Sequence, residues 1–441
     1  MSEQTSPPQL RANVGLLSVV MLGAGSAIGV SIFSVLAPAA QIAGSGLLIA
    51  VLVAAIPMVA FALAYAWLAS ALPKSGASYE WPRQFIHPLA GFMIAWLRIL
   101  SNVGALTVLT VVLIDYLSMV IAVPRHLTIA AILTIVFALN YFGINVAARA
   151  QTLLMLVLLG ALTLFVGTGL PLTNTAVVGP LLESGWAAVF ACVSLMISLF
   201  LGIESAVEIG EEVRDPQRTV PRGIAMAILL TAVVYLAVAF TVLGLLGPAK
   251  LATSEAPLLE AARVPLGDWA LPLIIGAATV SILKSVNAIA ISFSRALFAM
   301  GRNGALPLAL GRIHPKFGTP HIAVLLAYGL GMAGMLLPSS LLFLLLAVNI
   351  PTMIKYMACS YCAVRVIDHH AEVAREAALK WQPSRVKLIG WIGVVLAVLV
   401  GLLGLEADGR PYLLVLGWSV IGLGYWAWWS ERFAGRGRRT A

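Results

Sequence analysis

Two ionisable side chains lie inside long apolar runs of the sequence, where a charge is costly. Glu204 closely follows Gly202 in one run, and Lys284 lies near the middle of another. An ionised group at bilayer depth is disfavoured unless it faces a cavity or a partner, so such residues are candidates for substrate, ion or proton pathways. The chemistry expected of these two residues is therefore binding and charge compensation inside a membrane.

Sequence patterns of enzymes and metal sites do not occur in the chain. There is no G-x-S-x-G elbow and no phosphate-binding G-x-x-x-x-G-K-S/T, the patterns of hydrolases and of direct ATP coupling. The six histidines lack metal-site spacing. Cys192, Cys359 and Cys362 all lie within apolar runs, which favours packing over a disulfide framework. We therefore predict a protein that is not an enzyme and that carries no cofactor and no metal.

The elements that must position Glu204 and Lys284 are predicted by hydropathy. Of the 441 residues, 61% are hydrophobic and 10% are charged, against roughly 25% charged in soluble domains. A helix needs about 20 apolar residues to cross a bilayer, and such runs recur along the chain. The predicted spans are 14–38, 46–72, 89–121, 127–146, 151–171, 186–209, 221–246, 269–300, 319–337, 340–365, 387–405 and 411–430. The predicted fold class is an all-α membrane protein with twelve transmembrane helices in one membrane domain, 1–441.

The positions of lysine and arginine predict the orientation of these spans. Cytoplasmic loops carry an excess of both residues. If the N-terminus lies inside, the opposite face holds only Arg125, Lys250, Arg263 and Arg410, and the other loop residues of this kind fall on the inner face. We therefore predict a multi-pass protein of the cell inner membrane with both termini cytoplasmic. The net charge of +9 is then explained by topology and anionic lipid, with no need for nucleic acid.

Two of the predicted helices contain residues that favour a break within the membrane. Residues 23–33 include three glycines and two serines, and Gly202 interrupts the sixth span. Five spans separate the two positions, which is the spacing of an inverted repeat whose first helices are broken. We predict repeats at 14–171 and 186–365, with two further helices at 387–430. A small-residue packing face made by Gly25 and Gly29 is the alternative for the first position.

Several motifs, in order along residues 14–320, carry a family resemblance. They are 28–33 (similar to I-G-S-G-I-F), 73–96 (P-x-S-G-G-x-Y…P-x-x-G-F-x-x-x-W), 140–143 with Gln151, 202–204 with 211–222 (G-F-E…E-E-V-x-N-P-x-R-x-I-P), and Asn287, Arg295 and 301–307. Together they resemble the amino acid–polyamine–organocation (APC) superfamily of permeases. The resemblance implies a LeuT-type fold, with substrate between helices 1, 3, 6, 8 and 10. Val30 and Ser31 depart from the usual motif, which leaves the size of the substrate open.

Backbone groups at the two breaks are the substrate ligands that this resemblance implies. A zwitterionic amino acid brings a carboxylate and an ammonium into a dry site, and both need partners. The unwound positions themselves are Gly29 and Gly202. Free amides of Val30, Ser31 and Ile32 would bind the carboxylate, and carbonyls near Ala27, Ile28, Phe200 and Leu201 would bind the ammonium.

Side chains near the breaks are expected to shape and gate the site. Phe200, Ile203 and Ile289 are candidates for apolar contacts and occlusion, and Ser285 with Ile289 resembles a substrate-lining pair on helix 8. The Gly-x-Glu-Ser-Ala segment resembles that of arginine–agmatine exchangers, where the carboxylate and a helix 10 tyrosine form a gate. Glu204 and Tyr356 match that pair and are predicted to couple protonation or occlusion to the conformational switch. The alternative is a neutral Glu204 that only forms hydrogen bonds within the bundle.

Four of the basic residues that lie within the predicted spans each need an explanation for their charge. Lys284 falls beside the position where sodium-coupled LeuT-type carriers bind sodium, so its charge would replace the ion. The alternative for Lys284 is a structural partnership with Glu204 or Glu208. Arg98 and Arg295 lie near the inner ends of their helices and are expected to snorkel. Lys355 lines the inward pathway or snorkels to lipid.

These observations predict a secondary active transporter of amino acids that works by alternating access, independently of sodium, with proton coupling or exchange. The alternatives are a polyamine or cationic amino acid exchanger, a channel, and a non-transporting membrane sensor on the same fold. Ile203 and Ile289 favour small or medium neutral amino acids. The expected partners are a small-molecule substrate (an amino acid or amine), membrane lipid and possible protons, and both a monomer and a homodimer stay open.

Overall fold

The helices of the chain follow one another with short connections. A computed structural model describes residues 10–29, 31–118, 124–336, 341–403 and 410–437. The α-helices in chain order are α1 (Leu16–Ala27), α2 (Ser31–Ser34), α3 (Leu36–Ala43), α4 (Leu47–Ala71), α5 (Ala77–Phe85), α6 (Pro88–Ser118), α7 (Arg125–Phe142), α8 (Ile144–Gly169), α9 (Thr175–Val178), α10 (Gly185–Ile197), α11 (Pro216–Thr253), α12 (Pro257–Leu266), α13 (Ala270–Arg302), α14 (His321–Ala333), α15 (Leu341–His369), α16 (Ala371–Glu376), α17 (Pro383–Leu403) and α18 (Arg410–Gly437). Within the described ranges, β-structure is limited to two isolated bridges.

Each predicted span contains an α-helix, and the prediction of an all-α membrane protein is confirmed. By length and composition, nine helical stretches within the described ranges could cross a membrane, and α1 and α14 are shorter apolar helices. The count of twelve crossings stays a prediction. One boundary differs: α7 and α8 meet at Gly143, with φ 146°, whereas the predicted spans leave residues 147–150 between the two helices. Residues 147–150 lie within α8, where Ala147 and Ala148 are buried and Arg149 is exposed.

Regular α-helix is interrupted within the first and the sixth predicted spans. After α1 ends, the Ile28 and Gly29 amides bond back to the carbonyls of Ala24 and Ala27, each at 2.7 Å, and α2 begins at Ser31. After α10 ends, a 3₁₀ turn covers Ser198–Phe200 and a second 3₁₀ helix covers Ile203–Glu208.

Gly202 makes the second interruption. Its φ of 104° lies in a region that glycine enters at little cost and that other residues avoid. A Cβ atom at this position would lie 2.9 Å from the Cβ atom of Ser26 on α1. Gly202 therefore lies directly against the last turn of α1.

The surrounding helices hold these segments. α1 packs against α8, α11, α13 and the 203–208 segment. The last two helices lie outside, with α17 on α4 and α15, and α18 on α6 and α15. Trp96 and Trp418 join α6 to α18, since each indole N–H donates to the other residue's carbonyl at 3.0 and 2.9 Å.

Large apolar side chains on the outer faces are exposed. Examples are Leu52 and Ile56 on α4, Leu153 on α8, Leu399 on α17 and Leu416 on α18. An exposed apolar surface of this extent is the surface that lipid covers in a membrane protein.

Candidate functional site

The last carbonyls of α1 are held by side chains from two other helices. The Tyr235 hydroxyl of α11 donates to the Ala27 carbonyl at 2.7 Å. From α13, the Ser281 hydroxyl donates to the Ile28 carbonyl at 3.3 Å. Because the helix stops here, these carbonyls lack a helical partner, and each now has a side-chain donor.

Lys284 is a third side chain that contacts this end of α1. Its ammonium donates to the Gly25 carbonyl at 2.6 Å and to the Ile28 carbonyl, and the side chain is fully buried. The C-terminal end of a helix carries partial negative charge and favours a cation. Lys284 therefore bridges α1 and α13 through backbone oxygens.

Glu204 has three partners just after the second interruption. Its Oε1 accepts from the Lys355 ammonium. Its Oε2 accepts from the Tyr356 hydroxyl at 2.5 Å and from the Gly202 amide at 3.1 Å. Both carboxylate oxygens therefore accept hydrogen bonds, and none of the three contacts involves Lys284.

Sequence reasoning missed Lys355 as the main partner of Glu204. The Lys355 side chain is only 3% exposed, so the lipid-facing interpretation is wrong. Its direct neighbour in the chain is Tyr356, whose ring stacks on Phe61 with centroids 4.7 Å apart and makes an edge contact with Tyr65 at 5.9 Å. These contacts fix the direction from which the Tyr356 hydroxyl approaches Glu204.

The predicted substrate residues next to the two interruptions are buried or half-buried. Ala27, Ile28, Ile32, Phe200 and Ile203 are buried, and Ser31 and Leu201 are half-buried.

Ser285 and Ile289, the pair predicted on the eighth transmembrane helix, are both on α13, and Ser285 lies beside the first interruption. A Cβ atom on Gly29 would lie 3.3 Å from the Ser285 hydroxyl oxygen, which places α13 directly beside it. Ile289, one turn further, packs against a buried apolar cluster of α6, α7 and α13. Val30 lies outside the described residues.

A chain of buried amides lies behind Lys284. Asn140 of α7 donates to Asn287 of α13 at 3.0 Å, and Asn287 donates to Gln151 of α8 at 3.0 Å. The Gln151 Nε2 atom lies 2.5 Å from where a Cβ atom of Gly25 would be. These amides join three helices to α1, and their signal in the sequence was polar residues within apolar runs.

Two further buried ion pairs continue from Glu204 along the chain. Glu208 accepts from Arg98 of α6 at 2.5 Å, and Glu212 accepts two bonds from Arg295 of α13 at 2.8 and 3.0 Å. Both arginines are buried, so the prediction that they snorkel was wrong. The carboxylates recur every four residues, and that spacing was the available signal.

A fourth charge cluster fixes α5 to the end of α13. Glu80 accepts from Arg302 at 3.0 Å, from Asn303 at 2.6 Å and from Arg83 at 2.9 Å. Burial acts to raise the pKa of Glu80, but the bonds from Arg302, Arg83 and Asn303 outweigh it and lower that pKa. Glu80 is therefore held as a carboxylate at neutral pH.

The known proteins that this chain resembles in sequence are transporters and permeases. A family model described as amino acid permease matches residues 14–411. An uncharacterized transporter of Mycobacterium tuberculosis is 33% identical over 323 residues, 72% of each chain. The branched-chain amino acid permease BcaP of Bacillus subtilis is 24% identical over 335 residues, 71% of this chain and 72% of that protein. The low-affinity putrescine importer PlaP of Escherichia coli is 23% identical over 448 residues, 98% of this chain and 97% of that protein.

Proposed function

This chain belongs to the amino acid permease family of the APC superfamily, and on that premise we propose that it is a secondary active transporter of amino acids across the cytoplasmic membrane. Transport would proceed by alternating access within an inverted repeat that covers 14–171 and 186–365. The proposal includes twelve crossings with both termini inside. The positive-inside bias of the loops supports that orientation.

The observation that carries the proposal is the pair of interruptions near Gly29 and at Gly202, with Gly202 packed against Ser26 in the last turn of α1. Unpaired peptide groups within a membrane protein are tolerated where they line a cavity or bind a solute. The close contact between Gly202 and Ser26 means that a solute would need the two segments to move apart. Binding and conformational change are therefore linked in this mechanism.

The substrate carboxylate would bind the amides of Val30, Ser31 and Ile32, which follow the first interruption. The ammonium is better assigned to the carbonyls of Phe200 and Leu201. A carbonyl oxygen offers two lone pairs, and the Ala27 and Ile28 carbonyls each already accept two bonds. Phe200, Ile203 and Ile289 would contact the substrate side chain.

Lys284 supports a carrier that does not use sodium. Its ammonium already neutralises the negative end of α1 through the Gly25 and Ile28 carbonyls. A sodium ion bound to the same oxygens would meet a like charge at close range, which is strongly unfavourable in a dry interior. Coupling would then come from protons or from exchange.

Glu204 and Tyr356 are proposed as the gate. Their contact joins the second interruption to α15, so a change in protonation or position of either residue would alter how the two segments hold together. This role gives the pair an effect on transport rate as well as on stability.

A small or medium neutral amino acid is the proposed substrate. Ile203 and Ile289 offer apolar contacts, and the relative BcaP is described as a branched-chain amino acid permease. The putrescine importer PlaP is a more distant match.

Counterflow in proteoliposomes tests this function. Vesicles loaded with unlabelled leucine and diluted into labelled leucine are expected to accumulate label transiently and saturably, equally well in sodium and choline buffers. A sensor or a channel on the same fold would give no such trans-stimulation. If no neutral amino acid supports counterflow in either buffer, the proposed function is wrong.

A further inference from the structure

The surroundings of Glu204 form an ammonium-binding site that the chain itself fills. The Lys355 ammonium bonds to the Glu204 carboxylate and lies 4.8 Å from the centroid of the Tyr356 ring. A carboxylate together with an aromatic face is a combination that recognises alkylammonium ions. In this protein the site is occupied by the side chain of Lys355 on α15, with its four methylene groups and its ammonium.

Charge around this position is already balanced. Glu204 and Glu208 supply two negative charges, and Lys355 and Arg98 supply two positive charges, all four being buried and paired. An additional cation would therefore enter without a counter-ion. In a dry interior such a charge is strongly disfavoured.

We propose that Lys355 is a built-in cation which occupies the binding site for a cationic substrate side chain at Glu204 and so excludes cationic amino acids and diamines from transport. The inference rests on the proposed function and deepens it, because it names the residue that sets substrate class. Removing the lysine side chain exposes an acceptor, Oε1 of Glu204, and the Tyr356 ring. The protein becomes able to bind an alkyl diamine or a cationic amino acid there.

The test uses Lys355→Ala in purified full-length protein, with putrescine and leucine as probes. Putrescine is expected to raise the Tm of Lys355→Ala and to leave the wild-type Tm unchanged. In proteoliposomes, the ratio of putrescine to leucine uptake is expected to rise roughly 10–100-fold, the factor that one hydrogen bond to a charged group supports.

Two matched variants separate this role from general loosening. Lys355→Arg keeps the internal cation and is expected to exclude putrescine as the wild type does. Glu204→Gln added to Lys355→Ala removes the carboxylate and is expected to abolish the putrescine effect. A putrescine effect that survives in the double variant would contradict the proposal.

Poor folding of Lys355→Ala also gives an answer. If the variant accumulates only when cells are grown with putrescine, the amine is replacing the lost ammonium. Equal loss with and without putrescine would overturn the inference. Wild-type protein that exchanges leucine, beside a Lys355→Ala protein with no response to putrescine, would sink this inference alone, whereas wild-type protein without counterflow of any amino acid would sink the proposed function.

Discussion

At the scale of single residues, the site depends on two buried lysines with different partners. Lys284 contacts only backbone oxygens among the polar contacts described for it, whereas Lys355 contacts a carboxylate and a tyrosine ring. We propose different roles accordingly: the first lysine replaces a bound ion, and the second one replaces a substrate group.

Lys284→Ala is expected to lower stability and to create a response to sodium. The substitution leaves the buried Gly25 and Ile28 carbonyls without their cation, at a cost of about 2–4 kcal/mol for two lost acceptor contacts. Melting of the purified variant should occur at lower temperature, with partial recovery in sodium relative to choline. Lys250→Ala, at an exposed lysine near the end of α11, is the control. A variant with the wild-type Tm, or without a sodium response, would refute the ion-replacement role.

Glu204→Gln is expected to be more harmful than the loss of both charges together. Alone it leaves the Lys355 ammonium buried without its carboxylate, a situation that typically costs about 3–5 kcal/mol. Combined with Lys355→Met the stranded charge disappears, so the double variant should melt at a higher temperature than Glu204→Gln. Additive losses in this cycle would show that the two groups are not coupled.

Transport by Glu204→Gln tests the gate separately from stability. If protonation of Glu204 contributes to coupling, leucine transport by the variant is expected to be slower and to lose its dependence on pH. Tyr356→Phe, which keeps the ring stacked on Phe61, controls for packing. Undiminished transport by Glu204→Gln that keeps the pH dependence of the wild type would refute the coupling role.

At the scale of elements, three ion pairs spaced four residues apart hold the second interrupted segment. Glu204, Glu208 and Glu212 pair with α15, α6 and α13 in turn. Movement of this segment relative to α1 would have to break or carry these pairs. Any such movement would therefore act on the helices that surround the segment.

Gly202→Ala is expected to destabilise the protein and to impair transport, because φ of 104° and the 2.9 Å approach to Ser26 both oppose a side chain. Gly160→Ala on α8 is the matched control. A Cβ atom there meets nothing within 4 Å, and alanine in a helix is favoured by up to about 1 kcal/mol. Equal Tm values for the two variants would contradict the structural role of the interruption.

The lowered pKa of Glu80, on α5 between α4 and α6, predicts that the stability of the protein depends on pH. Its pKa is lowered in the folded protein, so the stability it adds is present above its unfolded pKa, about 4.3, and is lost as pH falls through the lower folded value. Glu80→Gln is expected to lower Tm at pH 7 and to flatten the decline of Tm below about pH 4.3. An unchanged Tm profile would exclude this contribution.

Hydropathy and motifs predicted where the helices lie along the chain, but they did not predict which side chains contact one another. Apolar length located the helices, and the glycines at 29 and 202 marked where helix stops. The partners of Glu204, Glu208 and Glu212 escaped prediction because hydropathy gives the depth of a residue along its helix and not the direction it faces. Arg98 and Arg295 therefore looked like residues that reach the membrane surface, although both point into the protein.

At the scale of the whole molecule, the architecture places a tightly bonded interior within an apolar exterior. α17 and α18 add an outer layer on α4, α6 and α15, and leucines such as Leu153 and Leu416 face outward. Within this exterior, the chain carries the two interruptions and the buried lysines Lys284 and Lys355 beside them. Membership of the amino acid permease family was predictable from motifs, while the substrate class that we propose rests on contacts such as Lys355 with Glu204.

Substrate protection of a single cysteine tests most directly whether the solute binds between the two interruptions. Ser31→Cys places a thiol at the half-buried position that begins α2, while Cys192, Cys359 and Cys362 are buried. A mixture of leucine, isoleucine, valine and alanine is expected to slow maleimide labelling of Ser31→Cys and to leave labelling of Thr175→Cys, at the exposed start of α9, unchanged. Equal labelling of Ser31→Cys with and without the amino acids would contradict the account.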